Sequence, residues 1–497
     1  MTRTRTGAAR RIAFVVVLTS AVPAGTCLTA TAVAVEAADS TTVQSAHEMA
    51  CADAGSAIPI APGSVVAQAL QLQPQLLMAR DDALAARSDV LAARAPFLPT
   101  VTAAITDERY VPANEGGPVV VVGNNVLGGP QTKSAYGALN LNWNLLSSGR
   151  DLAAYRGAEA GARAASLVVD SQTGDTLTGT LQAYADLHEA EISAANEQST
   201  LATLKEIEAR AEERYRNGHG TTVAIGQARA SALDGEKSYN KSCRDVSDKS
   251  AALAAAIGVH LSADQRFSAP TELPMPVGIA DERSAWATAI DNAPSVAAAR
   301  QKVTQAEAKV RQSRAAFGPS LSVYARRDYL GQDADSFGRA NHGIAPNDYR
   351  IGLTLEQPVF PLVSETAAVD RAKAELRRAQ AGYEQARLEA ETKLRNAINM
   401  EREARASYAA ARTSADEARK VLELTQSQYK AGRADLDSVQ KARMDLEKAD
   451  TEVGTLASRR VLAGWLVFRA VAPERFSKSA LRRLQVDLEE GRWSGMR

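Results

Sequence analysis

The segment Leu139-Asn-Leu-Asn-Trp-Asn-Leu145 alternates apolar and polar side chains without interruption. This period of two predicts a β-strand with leucine and tryptophan on one face and asparagine on the other. The segment Tyr349-Arg-Ile-Gly-Leu-Thr-Leu-Glu356 shows a similar pattern, with isoleucine and leucine opposite arginine, threonine and glutamate. Two structures fit this alternation equally: a half-buried strand of a soluble sandwich, or a transmembrane strand with its apolar side in lipid.

Residues 136–146 and 347–357 are long enough for the transmembrane alternative, because a tilted strand crosses a bilayer in about 9–11 residues. An extended segment precedes each of them, at 100–110 and 320–329, so four strands are predicted. The side chains predicted to face lipid are Leu139, Leu141, Trp143, Leu145, Ile351, Leu353 and Leu355. Because four strands cannot close a barrel, and open edges in lipid leave backbone groups unpaired, several copies of the chain would have to share one barrel.

The landmarks around these strands occur twice along the chain, in the same order. The matched pairs are Pro74 with Pro294, Phe97 with Phe317, Tyr215 with Tyr429, and Gly218 with Gly432. We therefore predict an internal duplication, with a first repeat at 63–258, a linker at 259–282 and a second repeat at 283–470. A longer loop in the first copy, between about 106 and 135, accounts for the one change in spacing between the copies.

Each repeat also contains helical patterns rich in alanine, arginine and glutamate. The predicted helices are 63–95, 148–216 and 221–257 in the first repeat, and 283–315, 364–430 and 434–470 in the second. The two long runs contain no proline. At 1.5 Å per residue each would extend about 100 Å. In each repeat, the two short helices placed end to end have about the same length as the long helix. They are therefore expected to run beside it.

The two ends of the chain differ in composition from the repeats. Four arginines, a short apolar run and small residues near a cleavage point predict a secretory signal peptide over 1–37, followed by an extension at 38–62. Lipid attachment at Cys27 is disfavoured, because Thr26 precedes it where a smaller residue is usual. Residues 471–497 form a C-terminal tail. For the remaining cysteines, Cys51 and Cys243, separate thiols are the simpler interpretation and a disulfide is the alternative.

With these features together, the chain resembles the TolC-type outer-membrane factors over about 63–470. The resemblance is carried by the corners Phe97-Leu-Pro99 and Phe317-Gly-Pro319, the junction Trp143-Asn-Leu-Leu-Ser-Ser-Gly149, and the turns Tyr215-Arg-Asn-Gly218 and Tyr429-Lys-Ala-Gly432. It implies an α+β membrane protein in which a long antiparallel α-helical barrel continues into a transmembrane β-barrel shared between three subunits. It also implies a homotrimer in the cell outer membrane that extends into the periplasm.

The function implied by the resemblance is a passive exit duct for small molecules or for a secreted protein (type I secretion). The implied partners are a periplasmic adaptor protein, an inner-membrane pump or ABC transporter, and outer-membrane lipid. The alternative from the residues alone is a soluble periplasmic coiled-coil adaptor or scaffold. Fractionation separates the two, because only the adaptor would be released with the soluble periplasm.

The family closes its periplasmic tip with hydrogen bonds, ion pairs and rings of aspartate, and the match here is partial. Tyr429 corresponds to a tyrosine of that latch. The latch arginine corresponds to Ala434, the ring aspartates to Ser438 and Lys441, and the aspartate of the first copy to Ala224. Two interpretations remain open for the nearby Arg433, Asp435 and Asp437. They replace the family's latch and ring residues, or they are the solvent-exposed charges of a helix start. The gate candidates are Tyr429, Arg433, Asp435, Asp437, Ser438 and Lys441.

No catalytic or metal-binding motif is found in the sequence. The five histidines are scattered, and there is no phosphate-binding loop and no nucleophile elbow. Lys plus Arg (58) equals Asp plus Glu (58), which argues against a nucleic-acid-binding protein. We therefore expect neither enzymatic activity nor a cofactor or metal.

Overall fold

The computed structural model describes residue 51 and residues 56–111, 120–122, 125–127, 132–262, 265–274, 282–333, 336–343, 345–360, 363–431, 433–434 and 436–471. The predicted signal peptide, Cys27 and residues 472–497 lie outside this part of the chain. Among the helices that are described, none has the length and apolar character needed to cross a membrane.

The elements follow one another in a simple order. The first half contains β1 (Ser56–Pro59), α1 (Pro62–Leu72), α2 (Pro74–Arg94), β2 (Thr100–Tyr110), β3 (Val120–Val122), β4 (Asn125–Leu127), β5 (Thr132–Leu146), α3 (Arg150–Arg216), α4 (Thr222–Ile257) and β6 (Gln265–Ser268). The second half contains α5 (Glu282–Asn292), α6 (Pro294–Ala315), β7 (Ser320–Asp333), α7 (Phe337–His342), β8 (Ala345–Glu356), α8 (Val363–Lys430) and α9 (Leu436–Val471).

Four of the strands form one antiparallel sheet in the order β2-β5-β7-β8. β5 and β7 are longer at the loop end than the predicted 136–146 and 320–329. The predicted loop 106–135 was wrong in part, because it also contains the small antiparallel pair β3 and β4. Short stretches such as Val120–Val122 are too brief to show a period in the sequence.

The two long helices contain 67 residues (α3) and 68 residues (α8), which corresponds to about 100 Å each. Exposed ion pairs four residues apart support α8, for example Arg371 with Glu375 at 3.1 Å. The predicted start of α3 at residue 148 was wrong. Ser148 and Gly149 have φ angles of 51° and 84°, which place them in the left-handed region, so the helix begins at Arg150.

The predicted single helices 63–95 and 283–315 were also wrong, because each is two helices separated by one extended residue. Gln73 (ψ 116°) separates α1 from α2, and Ala293 (ψ 127°) separates α5 from α6. Each of these residues precedes a proline, Pro74 or Pro294, whose ring disfavours helical geometry at the preceding position. Proline then occupies the first turn of the following helix, where its missing N–H costs nothing.

The short helices pack beside the long ones in a slab four columns wide. α2 and α4 contact one side of α3, α6 and α9 contact its other side, and α8 packs on α6 and α9. The order of columns is therefore α2 with α4, then α3, then α6 with α9, then α8. In the described part of the chain, no further element packs along the outer sides of the first and last columns.

The largest apolar core lies near the middle of the long helices, where α1, α4 and α9 meet α3. Its fully buried side chains include Leu177, Leu181, Tyr184, Leu253, Ile257 and Trp465. The sequence did not predict that β1 and β6, from the extension and the linker, pair in parallel over this core. Cys51 and Cys243 form a disulfide there, with a Cα–Cα distance of 5.4 Å, so the interpretation as separate thiols was wrong.

Candidate membrane-facing sheet and distal tips

The register of the sheet brings the apolar positions of all four strands onto one face. Leu141 lies opposite Val101 on one side and Ala325 on the other, and Ala325 lies opposite Ile351. We call this surface the apolar face. Its members are Val101, Ala103, Ile105, Leu139, Leu141, Trp143, Leu321, Val323, Ala325, Ile351, Leu353 and Leu355.

Most of these side chains have no cover in the single chain. Ile351 is 74% exposed, and Leu353 and Leu355 are each 68% exposed. A contiguous exposed apolar surface of this kind marks a contact with lipid or with another protein. One predicted member differs: a bulge between Asn144 and Leu146 makes Leu146, not Leu145, the partner of Leu321. The extra residue could not be read from the alternation, because both positions are leucine.

The opposite face of the sheet is polar and charged. It contains Thr100, Thr102, Glu108, Asn140, Asn142, Ser322, Tyr324, Arg326, Asp328, Arg350, Thr354 and Glu356. Arg326 and Arg350 lie directly opposite each other, and each has its own carboxylate partner: Asp328 at 2.6 Å and Asp348 at 3.5 Å. A sheet with one apolar and one charged face has the pattern of a wall between lipid and water.

Hydrogen bonds from side chains hold the corners where helices turn into strands. Trp143 Nε1 donates to the carbonyl of Phe97 (3.1 Å), and Gln357 Nε2 donates to the carbonyl of Phe317 (2.9 Å). Ser148 Oγ donates to the carbonyl of Pro319 at 2.6 Å. The two corner motifs are therefore tied to the strand ends, which fixes the sheet on the end of the helical slab.

The edges of the sheet and the edges of the slab lie on the same two sides. In the described residues, β2 pairs only with β5, and β8 pairs only with β7, so each presents one unpaired side. β2 follows α2 from the first helical column, and β8 leads into α8, the last column. The chain therefore presents two matched open borders, each made of one strand and one column of helix.

At the far end of the slab, both helical hairpins close with the same turn. The N–H of His219 donates to the carbonyl of Arg214, and that of Arg433 to the carbonyl of Gln428, both at 2.8 Å. Gly218 has a φ angle of 78°, the left-handed conformation that ends many helices. Thr221 then caps α4 by accepting a hydrogen bond from the N–H of Ala224 at 3.2 Å.

The structure places the described gate candidates at this distal tip, all of them exposed. Tyr429, which is 44% exposed, lies in the last turn of α8, Arg433 lies in the turn, and Asp437, Ser438 and Lys441 lie in the first turns of α9. Asp435 lies outside the described residues. In the described part of the chain, the side chains of Tyr429, Arg433, Asp437 and Lys441 form neither an ion pair nor a hydrogen bond.

A buried polar cluster that the sequence did not predict ties the linker to α3. The N–H of Ala269 donates to Glu191 Oε2 (3.0 Å), and its carbonyl lies 2.6 Å from His188 Nδ1. Tyr184 donates to the carbonyl of Thr271 at 2.8 Å. Burial raises the pKa of Glu191 and also the pKa of Tyr184. These groups satisfy the backbone of an irregular segment in the core. Their spacing of four and three residues puts them on one face of α3, but the sequence does not show that the linker is their partner.

The sequence pattern of the outer membrane efflux protein family matches residues 65–259 and 286–463. The chain belongs to the outer membrane efflux protein family. The expected resemblance to TolC-type factors and the outer-membrane location are therefore confirmed. The members of this family are described as outer membrane efflux proteins, which favours the channel over the soluble adaptor. No curated protein matches the chain.

Several solved structures share the fold of this outer membrane efflux protein. The Campylobacter jejuni CmeC outer membrane channel has a TM-score of 0.70 and 20% identity, and the alignment covers 88% of this chain and 90% of that one. The outer membrane protein VceC of Vibrio cholerae has a TM-score of 0.66 and 20% identity, with 82% and 95% covered. A Pseudomonas aeruginosa membrane protein has a TM-score of 0.67 and 20% identity, with 82% and 93% covered.

Proposed function

We propose that three copies of this chain form one duct that passively conducts cargo from an inner-membrane pump, through a periplasmic adaptor, to the outside. The observation that carries the proposal is the pair of matched open borders. Unpaired strand edges in lipid cost several kcal/mol for each backbone group. A ring of copies in which β8 of one pairs with β2 of the next removes every such edge.

The helical slab supports the same ring. Each contact between copies would place α8 of one copy against α2 and α4 of the next, directly below the shared strand pair. With four strands and four helical columns per chain, three copies give a barrel of twelve strands above a tube of twelve columns. The number three rests on the resemblance to TolC-type factors. The internal duplication also belongs to the proposal. It is supported by the order helix, helix, strand, strand, long helix, helix, which both halves share apart from the loop elements β3, β4 and α7 and the short strands β1 and β6.

In this arrangement the apolar face contacts outer-membrane lipid and the polar face lines the pore. Leu139, Leu141, Trp143, Ile351, Leu353 and Leu355 would face lipid, together with Leu145 or Leu146 at the bulge. The exposure of Ile351 and Leu353 in the single chain supports this assignment. Conduction through such a pore requires no catalytic residue, because the energy comes from the inner-membrane partner.

The family description as efflux proteins favours small molecules as cargo over a secreted protein. The C. jejuni relative is named an outer membrane channel, and a channel that only conducts must obtain its cargo from a pump. An inner-membrane pump or ABC transporter and a periplasmic adaptor are therefore the proposed partners.

The distal tip is the proposed gate. Arg433, Asp437 and Lys441 are exposed, and their side chains have no partner among the described residues of the single chain, so in a ring they are available to pair with the neighbouring copy. Arg433 and Asp437 would supply the ion pairs, and Tyr429 a hydrogen-bonding hydroxyl. Ala224, Ala434, Ser438 and Lys441 stand where the family has charged latch and ring residues, so this gate would lack a ring of aspartates.

Planar-bilayer recordings of the purified protein test the duct and the gate together. We expect small conductance steps for the wild type and larger steps for the Arg433→Ala/Asp437→Ala variant, because the tip would no longer close. The control is Arg244→Ala/Asp248→Ala, which removes an exposed ion pair (3.6 Å) on α4 and should conduct like the wild type. Absence of conductance in all three, or recovery of the protein in the soluble periplasm, would refute the duct.

A further inference from the structure

Three arginines lie at the same level of the sheet, and one of them differs from the others. Arg326 and Arg350 are on the polar face, and each pairs with an aspartate. Arg327 lies on the apolar face, between Leu139 and Tyr349 in the register. In the described part of the chain, Arg327 forms no ion pair, and it lies against two aromatic rings.

The two rings belong to tyrosines on the same face. The guanidinium carbon of Arg327 is 5.9 Å from the ring centre of Tyr329 and 5.9 Å from that of Tyr349. Both distances are at the outer limit of a cation–π contact. Aromatic rings satisfy the flat faces of a guanidinium, but they leave its N–H edge without an acceptor. Tyr349 is 73% exposed and Arg327 is itself partly exposed, so this group of side chains is accessible from the surroundings of the sheet.

The position of Arg327 identifies those surroundings. On one side of it along β7 the apolar face continues through Ala325, Val323 and Leu321 toward the helices. On the other side it ends at Tyr329, beyond which come Gly331 and Asp333. A charged side chain on the lipid face is far less costly at the level of the headgroups than at the midplane, and tyrosines are enriched at that level. Arg327 therefore marks the border of the apolar face that is farther from the helices.

We propose that Arg327, framed by Tyr329 and Tyr349, binds the phosphate group of an outer-leaflet membrane lipid. This proposal rests on the proposed function, in which the sheet spans the outer membrane with its loops outside. A guanidinium edge matches a phosphate in both charge and geometry, since two parallel N–H donors meet two oxygens. The chain itself supplies a carboxylate to Arg326 and to Arg350, but none to Arg327 in the described residues. The lipid phosphate would be the counter-charge of Arg327.

A carboxylate from a neighbouring copy is the competing explanation. Asp107 lies on the edge strand β2, on the same face, and is exposed. In a closed ring, β2 of the neighbour would lie beyond β8, two strand spacings or about 10 Å from β7. Arg327 would have to reach across Tyr349, and Asp107 already accepts a hydrogen bond from Asn341 Nδ2 at 3.3 Å. A lipid that approaches the face directly meets no such obstacle.

Native mass spectrometry of the detergent-purified protein tests the proposal, with phosphatidylglycerol and a diacylglycerol of the same chains as probes. We expect the wild type to retain phosphatidylglycerol and not diacylglycerol. The loss of one charge-assisted contact in Arg327→Gln should weaken retention about tenfold. Arg327→Lys should keep part of it. The matched control is Arg326→Gln, the adjacent residue on the opposite face, which should behave like the wild type.

Four results would overturn the proposal. They are equal phosphatidylglycerol retention in Arg327→Gln and the wild type, retention of diacylglycerol as strong as that of phosphatidylglycerol, competition by millimolar inorganic phosphate, and a loss in Asp107→Asn as large as in Arg327→Gln. Failure of the duct itself would be recognised separately, because the wild type would then be monomeric and non-conducting. A trimeric, conducting wild type with any of these four results would refute the lipid site alone.

Discussion

Leu353 and Thr354 are neighbours on β8, but their side chains lie on opposite faces of the sheet. If the apolar face contacts lipid, Leu353→Arg should lower the stability of the folded protein by about 2–4 kcal/mol, the cost of an arginine near the bilayer midplane. Thr354→Arg, which places the same group in the aqueous pore, should change it far less. The yield of heat-stable oligomer in outer-membrane fractions measures the difference. Equal yields for the two variants would contradict the assignment of the faces.

Gly318 and Ser148 meet at a corner where no further atom fits. A Cβ at Gly318 would lie 2.3 Å from Ser148 Oγ and 2.4 Å from Ser148 Cβ. Gly318→Ala should therefore cost about 1–3 kcal/mol, as overpacking does. The double variant Ser148→Gly/Gly318→Ala should regain part of this, because it removes the obstructing atoms and puts glycine at a φ of 51°, but it loses the hydrogen bond from Ser148 Oγ to the carbonyl of Pro319. Thermal unfolding measures both. Gly179→Ala, with nothing within 4 Å in the chain, is the control that should show no loss.

At the scale of elements, local periodicity was sufficient to predict the long helices and the strands of the sheet. It was insufficient to predict segments whose structure depends on a partner that is distant in the sequence. The prolines at 74 and 294 were visible, yet the helices around them were predicted as continuous, because the apolar pattern resumes immediately after each proline. β1 and β6 are four residues each and are stabilised by each other and by the core beneath them, so neither shows a pattern of its own.

The disulfide depends on the same long-range packing. It joins two residues separated by 192 positions, which come together only when the extension folds against α4. Because it closes so long a loop, Cys51→Ser/Cys243→Ser should lower the free energy of unfolding by about 2–4 kcal/mol. Chemical denaturation with and without reductant measures this. Cys51 is only 4% exposed, so the native wild type should resist mild reductant. A double variant as stable as the wild type would show that the bridge adds nothing.

The Glu191 cluster makes the stability of the linker depend on pH. Because burial raises the pKa of Glu191 in the folded state, the folded protein holds this proton more tightly than the unfolded chain does. The resulting stabilisation is full below the ordinary glutamate pKa of 4.5 and is lost as the pH rises through the raised value. In the Glu191→Gln variant, the side-chain amide oxygen can accept the same hydrogen bond from the N–H of Ala269, and it does not ionise. The stability of this variant relative to the wild type should therefore increase with pH and level off above the pKa of Glu191 in the folded protein. Unfolding midpoints at several pH values check this, with Glu213→Gln, at an exposed position of α3, as the control.

At the scale of the whole molecule, the sequence indicated that four strands cannot close, but it did not indicate which strands are left at the borders. β5 and β7 pair across the junction between the repeats, although α3 and α4 separate them in the chain. This pairing places β2 and β8 outside, in line with the outer helical columns. No local pattern specifies that choice, since all four strands share the same alternation. The gate role of the residues at the distal tip remains a prediction for a related reason: their partners would lie on other copies of the chain.

The matched borders make the number of copies in the closed molecule measurable. When tagged and untagged chains are produced together in equal amounts, a closed ring of three should form four species in a ratio of about 1:3:3:1, because each position is filled independently. Native mass spectrometry of the oligomers resolves them. A ring of two would form three species, and a monomer would form only the two pure ones. Leu353→Arg chains mixed with wild-type chains should be depleted from the oligomers, while Thr354→Arg chains should enter them in proportion. Equal entry of the Leu353→Arg and Thr354→Arg chains into the oligomers would mean that the sheet does not face lipid. A number of tagged and untagged species other than four would refute the ring of three.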